Sequence, residues 1–360
     1  MHAPSAQEPT LAGPPLSDPG CFVEHFGAPE FLGPYLGRFF EEADTALVHS
    51  LRTGPLTPDE LCGRLPQMDA AGLERAHRRG MVDHTPGGLV TLADFHARFE
   101  IWAIFEGWKD IPADMRAALN RWAQDAYLER KRAQIEDLQA GREPESHLEN
   151  SEYLLLHEAI ALLDRVERIY LWPCNCRSMM GACSKPVNTC IRFSNERGVG
   201  WEISRERARE IVREANRAGL MQTGEVAELE GAVIGAICNC CTDCCYPHLV
   251  SARLGAEKLW PRSRYLARLL PGLCTACGRC ARRCPFGAFV ASTRESADTG
   301  AARLEITFVE DLCRGCGVCA TGCPEDAIAM DPLPATGPGA PSDSSLRAVP
   351  AALSTPEAAR

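Results

Sequence analysis

Two matched cysteine runs dominate the chemistry open to this chain: Cys274, Cys277, Cys280 and Cys284-Pro285, then Cys313, Cys316, Cys319 and Cys323-Pro324. Each has the spacing C-x-x-C-x-x-C-x-x-x-C-P. Three thiolates with two residues between neighbours wrap one tight loop around one set of irons. The fourth, set off by a longer spacer and held by proline, points away from that loop and reaches the other set. The pattern therefore assigns Cys274, Cys277, Cys280 and Cys323 to one [4Fe-4S] cluster and Cys313, Cys316, Cys319 and Cys284 to a second. Two zinc ribbons fit poorly, because zinc sites come as separated C-x-x-C pairs.

A second set of cysteines lies just upstream. Cys174, Cys176, Cys183 and Cys190 form one group, and Cys238, Cys240, Cys241, Cys244 and Cys245 form another. In a reducing compartment such density is best explained by metal–thiolate bonds, because each thiol gains affinity by being deprotonated at a metal. Adjacent cysteines, Cys240-Cys241 and Cys244-Cys245, point in different directions, so one of each pair is expected to face a given metal. Three identities stand open for this centre: a further iron–sulfur cluster, a structural zinc ion, or a reactive dithiol. Arg177, Lys185 and Arg192 lie close to the first group in sequence. They are candidates for offsetting the charge of a thiolate-bound centre or holding an anion, the alternative being solvated surface.

The elements that must position these residues read as follows. Residues 151–170 read as an amphipathic helix delivering the chain to Cys174. Ile203-Ser204-Arg205-Glu206 reads as a second capping box opening a helix that runs to about Ala218 and is closed by Gly219, and residues 232–237 read as a strand leading into Cys238. Gly278, Gly315, Gly317 and Gly322 let the backbone approach closely in the C-terminal loops. Farther upstream, Thr57-Pro58-Asp59-Glu60 is a capping box with proline at the first helical position. A short helix from about Asp69 to Arg79 ends at Gly80, followed by the turn His84-Thr85-Pro86-Gly87-Gly88 and a strand over 89–92. A long helix is expected from Ala113 to about Gln139, with Gly141-Arg142-Glu143-Pro144 as a linker. Trp102, Trp108 and Trp122 read as core. Cys62 reads as a small buried hydrophobe and Cys21 is too isolated to interpret.

At 360 residues the chain has room for two or three domains, and the paired runs account for a small part of it. The expected organisation is a largely irregular segment over 1–38, a module over 39–105, a helical connector over 106–150, a central cysteine-rich metal domain over 151–270, a two-cluster domain over 271–331 and a disordered tail over 332–360. The fold class expected is α+β, mainly helical in the N-terminal and central parts. The formal net charge of −10 argues against general affinity for nucleic acid or anionic membranes. The Pro-rich start has no basic and apolar leader pattern and no apolar stretch is long enough to span a bilayer, so a cytoplasmic location is expected. There is no Walker-type phosphate loop, no G-x-G-x-x-G after a strand and no serine-nucleophile elbow.

Residues from about Leu273 to Met330 resemble a bacterial-type two-cluster ferredoxin, which implies a βαβ pseudo-repeat around two [4Fe-4S] clusters. The order of helices and hairpin between 39 and 105 resembles a winged helix-turn-helix, in which the third helix reads DNA. Here that helix carries Arg75, His77, Arg78 and Arg79. The segment from Glu41 to Glu100, however, holds six arginines and no lysine against ten acidic residues, so packing or partner docking is the expected use of the module. Together, C-x-C-R, a proline-containing loop with two more cysteines, and I-C-N-C-C-x-x-C-C before the paired runs resemble a family of 4Fe-4S-binding proteins of bacteria and archaea. No reaction is attached to that family. The expected function is electron transfer to or from a partner redox protein, by way of two [4Fe-4S] clusters and the central cysteine centre. The alternatives are an iron–sulfur oxidoreductase acting on a small substrate at that centre, and a redox-responsive regulator.

Overall fold

The computed structural model describes residues 13–142, 144, 148, 150–229, 232–295 and 302–334. The disordered tail expected over 332–360 and the first third of the irregular segment expected over 1–38 lie largely outside these residues. The chain is of mixed α+β architecture and divides into two compact units, residues 1–123 with 196–199, and residues 124–195 with 200–360.

The first unit begins with α1 (Gly20–Phe26) and a 3₁₀ segment (Glu30–Arg38). The irregular stretch expected up to residue 38 is thus corrected from residue 20 onward. Phe22, Phe26, Leu32 and Leu36 are buried, with Phe22 stacked on Phe40 at 4.0 Å, which gives this short segment an apolar anchor that its prolines obscure in the sequence. Then come α2 (Glu42–Leu51), α3 (Pro58–Arg64), α4 (Ala70–Arg78) and the hairpin of β1 (Val82–His84) and β2 (Val90–Leu92), with Leu56 bridged to Val90. The Thr57 hydroxyl accepts from Glu60 N–H at 3.2 Å, and the Glu60 carboxylate accepts from Thr57 N–H at 2.9 Å, closing the capping box. Trp102 and Trp108 are buried, while Trp122 is half-buried with its edge on Phe95; Cys62 is half-buried, more open than expected. In α5 (Phe95–Phe105) the buried Arg98 donates to Phe39 O at 2.6 Å and pairs with Glu106. Helix α6 (Ala113–Gln139) starts in this unit and ends in the second.

In the second unit the expected single helix over 151–170 gives way to β3 (Glu152–Leu154), α7 (Leu156–Leu162) and the start of β4 (Tyr170–Pro173). Tyr153 and Leu154 are buried by pairing with residues 222–223, and local periodicity carries no sign of so distant a partner. The chain continues through α8 (Asn175–Met180), β5 (Asn188–Arg192), β6 (Trp201–Glu202), α9 (Arg205–Arg217), β7 (Met221–Leu229), β8 (Ala232–Cys240) and α10 (Tyr246–Arg253). The strands form one antiparallel sheet in the order β3-β7-β8-β5-β4-β6, so the central part is not mainly helical as expected. Ser204 caps α9 through Arg207 N–H at 3.1 Å. The third helical position is an arginine, so the reciprocal half of a capping box is missing. Ala208, Ile211 and Val212 of α9 pack with Leu154, Ile191 and Ile237 on one face of the sheet.

The last segment holds β9 (Tyr265–Leu269), α11 (Arg279–Arg283), β10 (Phe289–Glu295), β11 (Ala302–Phe308), α12 (Val318–Thr321) and β12 (Ile328–Pro332). β9 pairs with β12 and β10 with β11, both antiparallel. It belongs to the same compact unit as the sheet. The Arg283 guanidinium donates to Val318 O, Asn216 O and Arg217 O at 2.9–3.0 Å, and the Thr321 hydroxyl donates to Asn216 Oδ1 at 2.7 Å. Glu158 of α7 accepts from Arg264 at 2.6 Å and from the Tyr265 hydroxyl at 2.8 Å. Among the described residues no helix is long and apolar enough to cross a membrane.

Candidate metal centres

In the sheet, Ile191 of β5 lies opposite Ile237 of β8 and both enter the core under α9. Strand alternation then sends their neighbours Cys190 and Cys238, and with them Cys240, to the other face. Two helix starts bring three more thiols there: Cys174 and Cys176 where α8 begins, and Cys245 immediately before α10. Cys238 is hydrogen-bonded with Cys190 and Cys240; Cys245 stands 3.4 Å from Cys240 and is hydrogen-bonded with Cys176. Six of the nine central cysteines thus share one pocket. Donation by the Cys238 and Cys245 thiols holds Cys240 well below the usual thiol range, and burial pushes Cys174 well above it. Thiolates this close repel one another, so ionising the whole set takes metal cations.

A seventh donor escaped the sequence reading. A ring nitrogen of His248 lies within 4.8 Å of the Cys240 and Cys245 sulfurs. Nδ1 is 3.5 Å from the Tyr153 hydroxyl, while Nε2 is buried with no hydrogen-bond partner. Burial lowers the His248 pKa, keeping the ring neutral as a ligand must be. The signal was available: Cys245-Tyr246-Pro247-His248 is a C-x-x-H spacing at a helix start, which places both side chains on one face. Six thiols and an imidazole exceed the four positions of a tetrahedral ion, so the pocket suits a polynuclear centre.

The other three cysteines lie together elsewhere. The Cys183 sulfur is 3.8 Å from that of Cys241 and 3.6 Å from that of Cys244, and all three fall within 4.8 Å of one another. Each adjacent pair is thereby divided between the two groups. Burial raises Cys183, yet the Lys185 backbone N–H and the Cys244 and Cys241 thiols bring it below its ordinary value; burial and Cys241 push Cys244 up to about 12. Arg177 is buried and reaches Cys241 Sγ at 3.9 Å, while donating to Pro186 O at 2.7 Å, Thr189 Oγ1 at 3.1 Å and Asn239 O at 2.7 Å. None of these partners is a carboxylate. The Lys185 ammonium instead donates to Gly219 O at 3.4 Å, and the Arg192 guanidinium lies 3.9 Å over the Trp172 ring.

At the C-terminal end, Cys274, Cys277 and Cys280 line one cleft together with Cys323. Cys284 is placed with the other run: burial pushes the Cys316 and Cys319 thiols up, and the nearby charges of Cys284 and Cys313 add to it. Each run therefore meets the fourth cysteine of its neighbour. Residues 273–328 match the family model of the 4Fe-4S dicluster domain. No curated protein and no solved structure matches the chain. The dicluster domain makes this an iron–sulfur protein, and its donor sets fit the cofactor. Backbone N–H groups repeat at the sulfurs in both halves: Ala276 on Cys274 and Gly315 on Cys313 at 3.4 Å, Ala288 on Cys284 and Ala327 on Cys323 at 3.3 Å. Such bonds stabilise negative charge on sulfur and help to set the potential.

Gly315 has φ +66° and a Cβ there would run into the Tyr265 carbonyl. Gly315→Ala adds a left-handed penalty of about 1–2 kcal/mol to that clash, and the expected result is lowered iron occupancy and a lower thermal midpoint, read by iron analysis and circular dichroism. Full iron and an unchanged midpoint would show that the loop has room to move. The dicluster domain also touches the six-cysteine pocket: Tyr153, Met221, Cys240 and Cys245 form one buried cluster with Cys316 and Val318. Burial, with Cys316, Cys240 and Cys245 nearby, holds the Tyr153 hydroxyl well above its usual pKa, leaving it a neutral donor between the two.

Proposed function

We propose that the protein transfers electrons to or from a partner redox protein, using two [4Fe-4S] clusters and the six-cysteine pocket as a further redox centre. The observation that carries this reading is the shared buried cluster of Cys316 with Cys240 and Cys245. Bound at the two quartets, [4Fe-4S] clusters supply reversible one-electron reduction with small reorganisation. The chain's own contribution is to hold Cys274, Cys277, Cys280 and Cys323 at the more open site, where Cys277 is exposed, and Cys313, Cys316, Cys319 and Cys284 next to the pocket. The rings of Tyr153 and Phe286 pack against that of the buried His248. Stepwise anaerobic reduction followed by electron paramagnetic resonance tests the reading. Reversible uptake of more than two electrons per chain is expected; irreversible bleaching, or iron for fewer than two cubanes, would overturn it.

Residues 39–105 are read as a winged-helix-like module used for packing or partner docking. Of the four residues assigned to DNA reading, His77 is buried and Arg79 is paired with Asp44 at 2.9 Å and Glu41 at 3.4 Å, which leaves Arg75 and Arg78 exposed on α4. Two arginines on a net acidic module release few counterions. Full-length protein is expected to show no salt-sensitive binding of a duplex at low ionic strength, in either oxidation state; micromolar binding that weakens steeply with salt would restore the regulator.

A further inference from the structure

We propose that Cys183, Cys241 and Cys244 form a mononuclear three-thiolate zinc site, separate from the six-cysteine pocket. Two thiolates on one tetrahedral zinc, each about 2.3 Å from the metal, stand about 3.8 Å apart. The sulfurs of Cys183 and Cys241 are 3.8 Å apart and those of Cys183 and Cys244 are 3.6 Å apart. Thiolates on different irons of a cubane are held farther apart by the iron–iron edge. The dicluster cysteines show that contrast within the same chain: among the described residues none of them belongs to a group of three donors within 4.8 Å. The six-cysteine pocket differs in the other direction, having more sulfurs than one ion can take.

Charge supports the same assignment. Three thiolates on a divalent ion leave one negative charge, and a buried charge needs a partner. The buried Arg177 guanidinium supplies one positive charge 3.9 Å from Cys241 and, among the described residues, has no carboxylate hydrogen-bond partner and keeps its Nε buried without a partner. The ion would fasten the Cys183 loop to the turn between β8 and α10. Cys183 is half-exposed, so the fourth position is open to water or a small thiolate. Zinc carries no electrons, and the site stands or falls independently of the electron-transfer reading.

Metal analysis of anaerobically purified full-length protein tests this. The wild type is expected to hold about one zinc per chain, and Cys183→Ser and Cys244→Ser are each expected to lower zinc at least tenfold with iron and the dicluster resonance unchanged. Protein produced with cobalt in place of zinc is expected to show thiolate-to-cobalt charge-transfer absorption, lost in Cys183→Ser. Because Cys183 lies half-exposed in a loop, its serine variant keeps the fold, and the unchanged dicluster resonance checks that in the same sample. Loss of iron with zinc unchanged, or a wild type that takes neither zinc nor cobalt, overturns the site.

Discussion

Replacing Cys323 with serine removes the iron held by the first cysteine run and leaves that of the second, although Cys323 belongs to the second run in sequence. It lines the cleft of Cys274, Cys277 and Cys280, whereas Cys284 lies among the charges of Cys313, Cys316 and Cys319. Iron in the dicluster domain is expected to fall from about eight to about four per chain, since a cubane missing one of four thiolates is labile. The pairing can be read from non-additivity, because residues that serve one centre act as a unit. Cys277→Ser with Cys323→Ser should lose no more iron than either alone, while Cys277→Ser with Cys284→Ser should lose both sets. If instead Cys323→Ser and Cys319→Ser prove redundant, the fourth cysteine serves its own run and the crossover assignment fails.

The parts of the molecule legible in the sequence are those fixed by local rules. The α3 start at Thr57 and the full span of α6 follow from capping residues and helical periodicity. The spacing of the eight cysteines pairs Cys323 with the first run, and Cys323 lines the cleft of that run. What stayed hidden depended on long-range pairing. Residues 221–229 carry little alternation, and they become β7 because Met221 pairs with Cys240 and Thr223 with Cys238. Once β5, β7 and β8 lie side by side, the register separates Cys190, Cys238 and Cys240 from Cys241 and Cys244, a division that spacing alone leaves open. The basic residues show the same limit. Arg177, Lys185 and Arg192 are equivalent by distance along the chain, yet one is buried against a sulfur, one reaches a helix-end carbonyl and one lies over an indole. Sequence adjacency ranked them alike because it carries no direction.

Arg177 is where a single substitution has the largest expected effect on stability. Its guanidinium serves three oxygens, those of Pro186, Thr189 and Asn239, and faces Cys241; Cys174, Cys240 and Cys241 raise its pKa against the lowering effect of burial. Methionine fills a similar volume without a donor or a charge. Arg177→Met therefore strands buried acceptors and leaves the neighbouring thiolates without a counterion. Breaking a buried charge pair from one side costs about 3–5 kcal/mol. With a shift of about 2–4 °C per kcal/mol for a unit of this size, the midpoint should fall by about 10 °C. Arg177→Lys keeps the charge but loses the planar fork, so it should restore part of the midpoint and most of the metal while leaving the oxygens under-served. Thermal melts under anaerobic conditions, with metal counts on the same samples, decide the matter. A methionine variant that melts within about 2 °C of wild type, well below the cost of a broken buried pair, would mean that the thiolate charge is balanced elsewhere.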